Sequence, residues 1–192
     1  MDMTHKHALA MALVLISLST GTGQERESVT DPEAYVLWGL LVPPYWSTDQ
    51  QVNSGQKTPI LLQRETQRSL NGCDGPKAPD RAWQSAVDSF HRQNKRVQIL
   101  QPLLKTDPRY RLIPRAEIEA DDARLAIKYP GSWQRLPESM EYVAVSAIGF
   151  NGDKSKAILY MRLRGTGGIF FMERRDGKWA HASTLSRCRW VA

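Results

Sequence analysis

Few side chains in this sequence have the chemistry for acid–base or nucleophilic catalysis. Beyond residue 23 only two histidines remain, His91 and His181, about 90 positions apart. Neither lies in an HxH or HExxH pattern, so a zinc-protease helix is absent, and no GxSxG elbow occurs. His91 follows Phe90 at the edge of a helix face and reads as a surface residue. His181 falls near Met172 and opposite Ser146 two strands away, so Ser146 as nucleophile with His181 as base would make a small hydrolase. The competing reading is a core histidine bonded to a hydroxyl or carbonyl.

Three further clusters carry charge or ligand potential. The stretch "LRGTGGIFFMERRDGKW", Leu163 to Trp179, has the glycine density of a phosphate loop. A phosphate loop leads from a strand into a helix whose free amides meet the anion, whereas here a second strand follows, so the glycines read as a hairpin corner. With the turn at Thr166–Gly167, Leu163 pairs with Phe170 and Met161 with Met172, which puts Leu159, Met161, Leu163, Phe170 and Met172 on one apolar face. The opposite face then collects Tyr160, Arg162, Arg164, Phe171, Arg175 and Lys178, a basic and aromatic set suited to an anion. The competing reading is a solvated or helix-covered sheet face. The acidic run Glu117, Glu119, Asp121 and Asp122 lacks EF-hand spacing and reads as a solvated helix surface. No metal or cofactor site is expected.

The N-terminus sets the compartment. "MDMTHKHALAMALVLISLSTGTG" has a basic start at Lys6, an apolar run of 11 residues from Ala8 to Leu18, and small residues before a charged segment. This is the layout of a secretory signal peptide, with cleavage expected after Gly23. The run is shorter than the roughly 20 residues that span a bilayer, so residues 24–192 are expected as one secreted or periplasmic domain without a transmembrane segment. With 26 Lys and Arg against 20 Asp and Glu, the chain is mildly basic and favours acidic partners. In an oxidising compartment the only two cysteines, Cys73 and Cys188, are expected to be joined. Two free thiols, or a link between chains, are the alternatives.

Local patterns define the elements that must position these groups. Asp31, Pro32 and Glu33 start a short helix in "DPEAYVLWGLLVPP", which Pro43 and Pro44 end. Its apolar residues spread around the whole circumference, so the helix is expected to be largely buried. "PILLQRET" and "VQIL" read as strands, and "DPRYRLIP" as extended. Asp80 caps a helix carrying Trp83, Ala86, Val87 and Phe90 at helical spacing, and "RAEIEADDARLAIKY" reads as a second amphipathic helix. "EYVAVSAIGF", "KAILYMRLR", "GIFFMERR" and "KWAHASTL", separated by "NGD", "GTGG" and "DG", read as an antiparallel meander. The fold class is therefore α+β, a C-terminal meander packed with N-terminal and central helices.

"SAIGFNGDKSKAILYMRLRGTGGIFFMERRDGKW" with the closing "CRW" resembles the C-terminal part of a family of uncharacterised, signal-peptide-bearing bacterial secreted proteins. "AYVLWGLLVPP", "ILLQRETQ", "AWQSAVDSFHRQN" and "YRLIPRAEI" are similar in the same order, so the likeness covers most of residues 24–192. In those relatives the Gly-rich corner usually carries cysteines in a pattern like CGxLCGxG. Arg164, Thr166 and Gly168 stand in that neighbourhood here, so thiol chemistry at the corner is absent from this chain. The resemblance implies a secreted α+β domain and no catalytic residue.

These observations favour a non-enzymatic exported domain that binds or supports a cell-envelope partner: an anionic glycan, a lipid headgroup or a protein, rather than nucleic acid. A small hydrolase using His181 with Ser146 is the alternative.

Overall fold

The computed structural model describes residues 26–46, 59–68, 70, 73–104, 109–131, 140–163 and 166–189, with the backbone alone at 43–46, 166 and 184–189. Helix α1 (Pro32–Trp46) opens the described chain, and the Glu33 amide donates to Asp31 Oδ1 at 3.1 Å. Strand β1 (Ile60–Gln63) runs parallel to β2 (Tyr110–Ile113). Between them, a single 3-10 turn (Arg81–Trp83), capped by Asp80 accepting from the Ala82 amide at 2.7 Å, leads into α2 (Gln84–Gln93). Helix α3 (Arg115–Lys128) follows β2 and buries Ile118 and Leu125. The remaining strands are β3 (Ala144–Val145), β4 (Gly149–Phe150), β5 (Lys156–Leu163), β6 (Thr166–Arg175) and β7 (Lys178–Arg189). β3, β5, β6 and β7 lie side by side and antiparallel, with β4 also paired to β5. The protein is thus an α+β fold with an antiparallel meander.

Several local expectations are corrected by the structure. α1 continues through the two prolines to Trp46; proline's fixed φ is compatible with a helix, and both stand in the last turn, so few hydrogen bonds are lost. The helix is also not buried all round. It lies on the sheet with one side, so Val36 and Leu40, four residues apart, stand about half exposed. "VQIL" forms single bridges at Ile99, parallel to Ser28 and antiparallel to Glu65, rather than a strand. The run expected as one first meander strand breaks into β3 and β4, since Ser146 Oγ and Asn94 take over the hydrogen bonds of the backbone between them.

The Gly-rich corner sits two residues earlier than expected. Leu163 pairs with Thr166, Met161 with Gly168, Leu159 with Phe170 and Ala157 with Met172. The shift is even, so each side chain keeps its face. The Asp176–Gly177 corner adopts positive φ at both positions, 49° and 76°, as a two-residue hairpin turn requires.

Both faces of the meander are covered. On one, Ala157, Leu159, Met161, Phe170 and Met172 pack with Leu37, Trp38 and Val42 of α1 and with Ile60 and Leu62 of β1. Polar contacts fix α1 there: Trp179 Nε1 donates to Glu33 Oε2 at 2.8 Å, and Arg174 Nη2 reaches the same carboxylate at 2.9 Å. The Trp179 hydrogen bond, with Arg174 beside it, holds the Glu33 carboxyl below its ordinary range against the opposing effect of burial. That interaction stabilises the fold above the unfolded carboxyl pKa and is lost as the pH falls through the depressed value.

On the other face, Ile158, Tyr160, Ile169 and Phe171 meet Trp83 of the 3-10 turn and Ala86, Val87 and Phe90 of α2. The helix comes unusually close at β4. A Cβ on Gly149 would stand 2.2 Å from the Phe90 amide nitrogen and 2.5 Å from the Ala86 carbonyl oxygen. Asn94, just past the end of α2, receives the Ala147 amide at 2.9 Å and donates to the Ala147 carbonyl at 3.0 Å.

Two stability predictions follow from this face. Gly149→Ala should lower stability to urea by about 3 kcal/mol or more, since the obstructing atoms are backbone. Gly152→Ala, where nothing lies within 4 Å of the new methyl, should stay within about 0.5 kcal/mol of the parent. Equal midpoints for the two variants would contradict the close approach. Tyr160 is fully buried, and its hydroxyl has no hydrogen-bond partner among the described residues. Burial pushes its phenol from 10.0 up to about 12. Above the unfolded pKa the unfolded state has released a proton that the folded state keeps, so stability falls as the pH rises between these values. Tyr160→Phe should flatten that alkaline fall and, at neutral pH, match or exceed the parent by about 1 kcal/mol, as measured by urea unfolding at both pH values. A large loss at neutral pH would show that the hydroxyl is bonded.

Candidate anion-binding cleft

Away from the meander, two basic stretches that are distant in sequence converge. "RETQR" carries Arg64, Glu65 and Arg68 where the chain leaves β1, and "NKRV" carries Lys95 and Arg96 in the turn after α2. Backbone pairing brings them together: the Thr66 amide donates to the Gln98 carbonyl at 2.9 Å, and the Leu100 amide to the Arg64 carbonyl at 2.8 Å. The Gln98 amide in turn donates to Thr66 Oγ1 at 2.8 Å. The extended segment carrying Arg26 and Glu27 adds to the same place, because Ile99 donates to the Glu27 carbonyl.

A cleft of about 790 Å³ opens between these segments and the start of α3. Its walls hold six cations, Arg26, Arg64, Arg68, Lys95, Arg96 and Arg115, against three carboxylates, Glu27, Glu65 and Glu119. Glu65 is the buried member, its side chain only 6% exposed. Its Oε2 accepts the Arg115 backbone amide at 2.8 Å, which satisfies one of the free donors at the start of α3 and sets a negative charge at the positive end of that helix. Pro114, at the N-cap, provides no side-chain bond of its own. Oε1 lies 3.5 Å from Arg64 Nη2 and 3.7 Å from Arg26 Nη1. Arg115 Nε bonds Glu119 Oε1 at 2.8 Å. Among the described residues, no ion pair engages Arg68, Lys95 or Arg96. The summed field attracts anions, and guanidinium forks bind carboxylate or phosphate oxygens in pairs.

The face expected to bind an anion is not assembled in that form. Tyr160 and Phe171 are fully buried beneath α2, with the Phe171 ring 5.0 Å from that of Trp83. The physical reason is that the meander packs on both faces, so alternation along its strands separates two cores rather than core from solvent. Arg162 Nη2 donates to Tyr142 Oη at 2.7 Å, and its guanidinium lies 5.6 Å from the centre of that ring. Arg175 Nε bonds Glu173 at 3.0 Å, and Lys178, exposed, pairs with Arg175 across the hairpin. Arg162, on β5 opposite Gly167, and Arg175, at the far end of β6, lie roughly 25 Å apart along the strand direction. Arg164 lies outside the described residues, as does the segment 1–23 expected as a signal peptide.

Ser146 and His181 are not brought together. Ser146 is fully buried, its Oγ donating to the Ala147 carbonyl and accepting the Tyr160 amide, each at 2.8 Å. Its hydroxyl therefore serves the backbone at the β3–β5 seam. His181 pairs with Met172 on β7, but its side chain is exposed, against Phe170 at 5.8 Å. Three strand spacings separate the two residues, about 14 Å. His91 is exposed at the end of α2. In the acidic run, Glu117 pairs with Arg111, Glu119 with Arg115 and Asp121 with Arg124. Among the described residues no cluster of three or more His, Cys, Asp or Glu side chains is placed to hold a metal. Sequence reading missed the cleft: its signal was the pair of basic clusters, and nothing local marks them as neighbours.

No family model, curated protein or solved structure matches this chain.

Proposed function

We propose that this protein is an exported, non-enzymatic domain, grouped with the signal-peptide-bearing bacterial proteins that it resembles, which binds an anionic cell-envelope partner through the Arg68–Lys95–Arg96 cleft. The observation that carries the reading is the convergence of six cations from four separate segments on one cleft, three of them without an ion pair among the described residues. The side chains lining the cleft supply charge and hydrogen-bond donors and include no histidine, serine or cysteine, which favours binding over hydrolysis. Export is supported by the Lys6 to Gly23 layout, and no helix among the described residues is long and apolar enough to cross a membrane.

Replacing Arg68, Lys95 and Arg96 together by Gln should abolish retention on an anionic glycan matrix at low salt while leaving the thermal midpoint nearly unchanged, as for other exposed charges. The parent should elute progressively earlier as salt is raised. Equal retention of parent and variant would overturn the cleft reading. Retention lost only on neutralising Arg162, Arg175 and Lys178 would return the site to the meander.

The same proposal places Cys73 and Cys188 in a disulfide. Cys73 is partly buried against the α2 core, and the backbone of Cys188 pairs with Gly167 on β6. No free cysteine occurs among the described residues. Reduction, Cys73→Ser and Cys188→Ser should each lower stability by the same amount, about 4 kcal/mol for a closed loop of this length. Two thiols titrating in the denatured, unreduced protein would exclude the bridge.

A further inference from the structure

From the placement of Glu65 we infer that the ligand of the cleft is an acidic carbohydrate, an anion that also carries hydroxyl donors, with Glu65 Oε1 as the acceptor for one of those hydroxyls. The inference rests on the anion-binding reading and adds the chemistry of the ligand. Toward a simple anion the Glu65 carboxylate is a liability, whatever it contributes to the start of α3, because a buried negative charge repels the ligand and is costly to desolvate. Here the carboxylate is more than nine-tenths buried and is divided in function. Oε2 is committed to the Arg115 amide at 2.8 Å. Oε1 has only the long approaches of Arg64 at 3.5 Å and Arg26 at 3.7 Å among the described residues, beyond the range of a good charge-assisted hydrogen bond.

The two guanidinium groups are about half exposed, 46% for Arg64 and 62% for Arg26. Exposed to that degree, they can be reached by an incoming anionic group, and turning toward it would release Oε1. Oε1 then becomes a fixed acceptor beside a ring of cations. A polyhydroxylated anion satisfies both requirements, with its acidic group on Arg68, Lys95 and Arg96 and a ring hydroxyl on Oε1. An anion without hydroxyls meets the cations and leaves Oε1 facing it with a lone pair, which a specific site penalises strongly.

Calorimetric titration of the full exported chain at low salt tests this with trigalacturonate against tricarballylate, which carries the same three carboxylates and no hydroxyl. A parallel arm with glucose 1-phosphate against methyl phosphate, a phosphate monoester without sugar hydroxyls, distinguishes a carboxylate sugar from a phosphorylated one. The hydroxyl-bearing member of at least one pair should bind about ten- to a hundredfold more tightly, the worth of one hydrogen bond to a charged group. Glu65→Gln keeps an oxygen for the Arg115 amide and should erase that preference, weakening the acidic sugar while leaving the hydroxyl-free anion unchanged or tighter, because a negative charge has gone. Equal affinities within both pairs in the parent overturn the inference even where Glu65→Gln does not fold, and so does a Glu65→Gln protein that tightens on all the anions alike. Binding of none of the four probes by the parent overturns the anion-binding reading itself, an outcome distinct from binding without preference.

Discussion

The constraint on which the rest of the structure depends is the contact between α2 and β4. Gly149 has no side chain, and the helix backbone occupies the space where one would be. Because the approach is backbone to strand, α2 has little freedom to slide, and Asn94 fixes its end by bonding both the amide and the carbonyl of Ala147. Everything beyond Asn94 inherits that position. Lys95 and Arg96 project from the turn it anchors, and Gln98 and Ile99 pair with Thr66 and Glu65 on one side, while Ile99 also pairs with Ser28 on the other. A buried glycine and a half-buried asparagine thereby set the geometry of a cleft built by other residues.

The sheet itself is a partition. Ala157, Leu159 and Met161 face α1, and Ile158 and Tyr160 face α2, so consecutive residues of β5 enter different cores. Burial on both sides explains why the strand reads as a continuous apolar run. It also explains the price of Tyr160, a phenol held where its hydroxyl has no partner among the described residues and where ionisation is suppressed. On the α1 side the polar anchor is better matched, since Glu33 receives both Trp179 and Arg174 and stays charged. The N-terminal helix and the last hairpin, more than a hundred residues apart, are joined there by a carboxylate at the first turn of α1.

Much of the fold was legible because its signals are local. The Asp80 cap, the 3.6-residue spacing of Trp83, Val87 and Phe90, and the Asp176–Gly177 turn each specify a conformation within a few residues. The GTGG corner was located less well, because three glycines in four positions leave several turns sterically equivalent. The choice falls to packing, in which Gly168 stands opposite Met161 and Gly167 opposite Arg162. Of the meander's two faces, the one carrying Leu159, Met161, Phe170 and Met172 was legible as apolar, and the burial of the opposite face was not. Tyr160 and Phe171 next to arginines look the same in sequence whether they meet solvent or a second helix layer. Ser146 and His181 have β5 and β6 between them, the order the sequence implied, and are kept apart because Ser146 is buried and bonded to backbone while His181 is exposed on β7.

The cleft was illegible for a deeper reason. Its residues come from the segment after β1, the turn after α2, the N-terminal extension and the start of α3, so its charge is spread thinly through the sequence and becomes concentrated only when Ile99 bridges two of those segments. Glu65 is the residue that makes the assembly self-consistent. Without it, Arg26, Arg64 and the free amide at the start of α3 would face one another with no counter-charge. With it, repulsion among the cations nearest the core is relieved, and the three farther along the wall, Arg68, Lys95 and Arg96, remain uncompensated. A stability requirement at the floor of the cleft and an affinity for anions at its mouth are therefore met by the same uneven distribution of charge, because compensating every cation would make the cleft more stable and remove its attraction for a ligand.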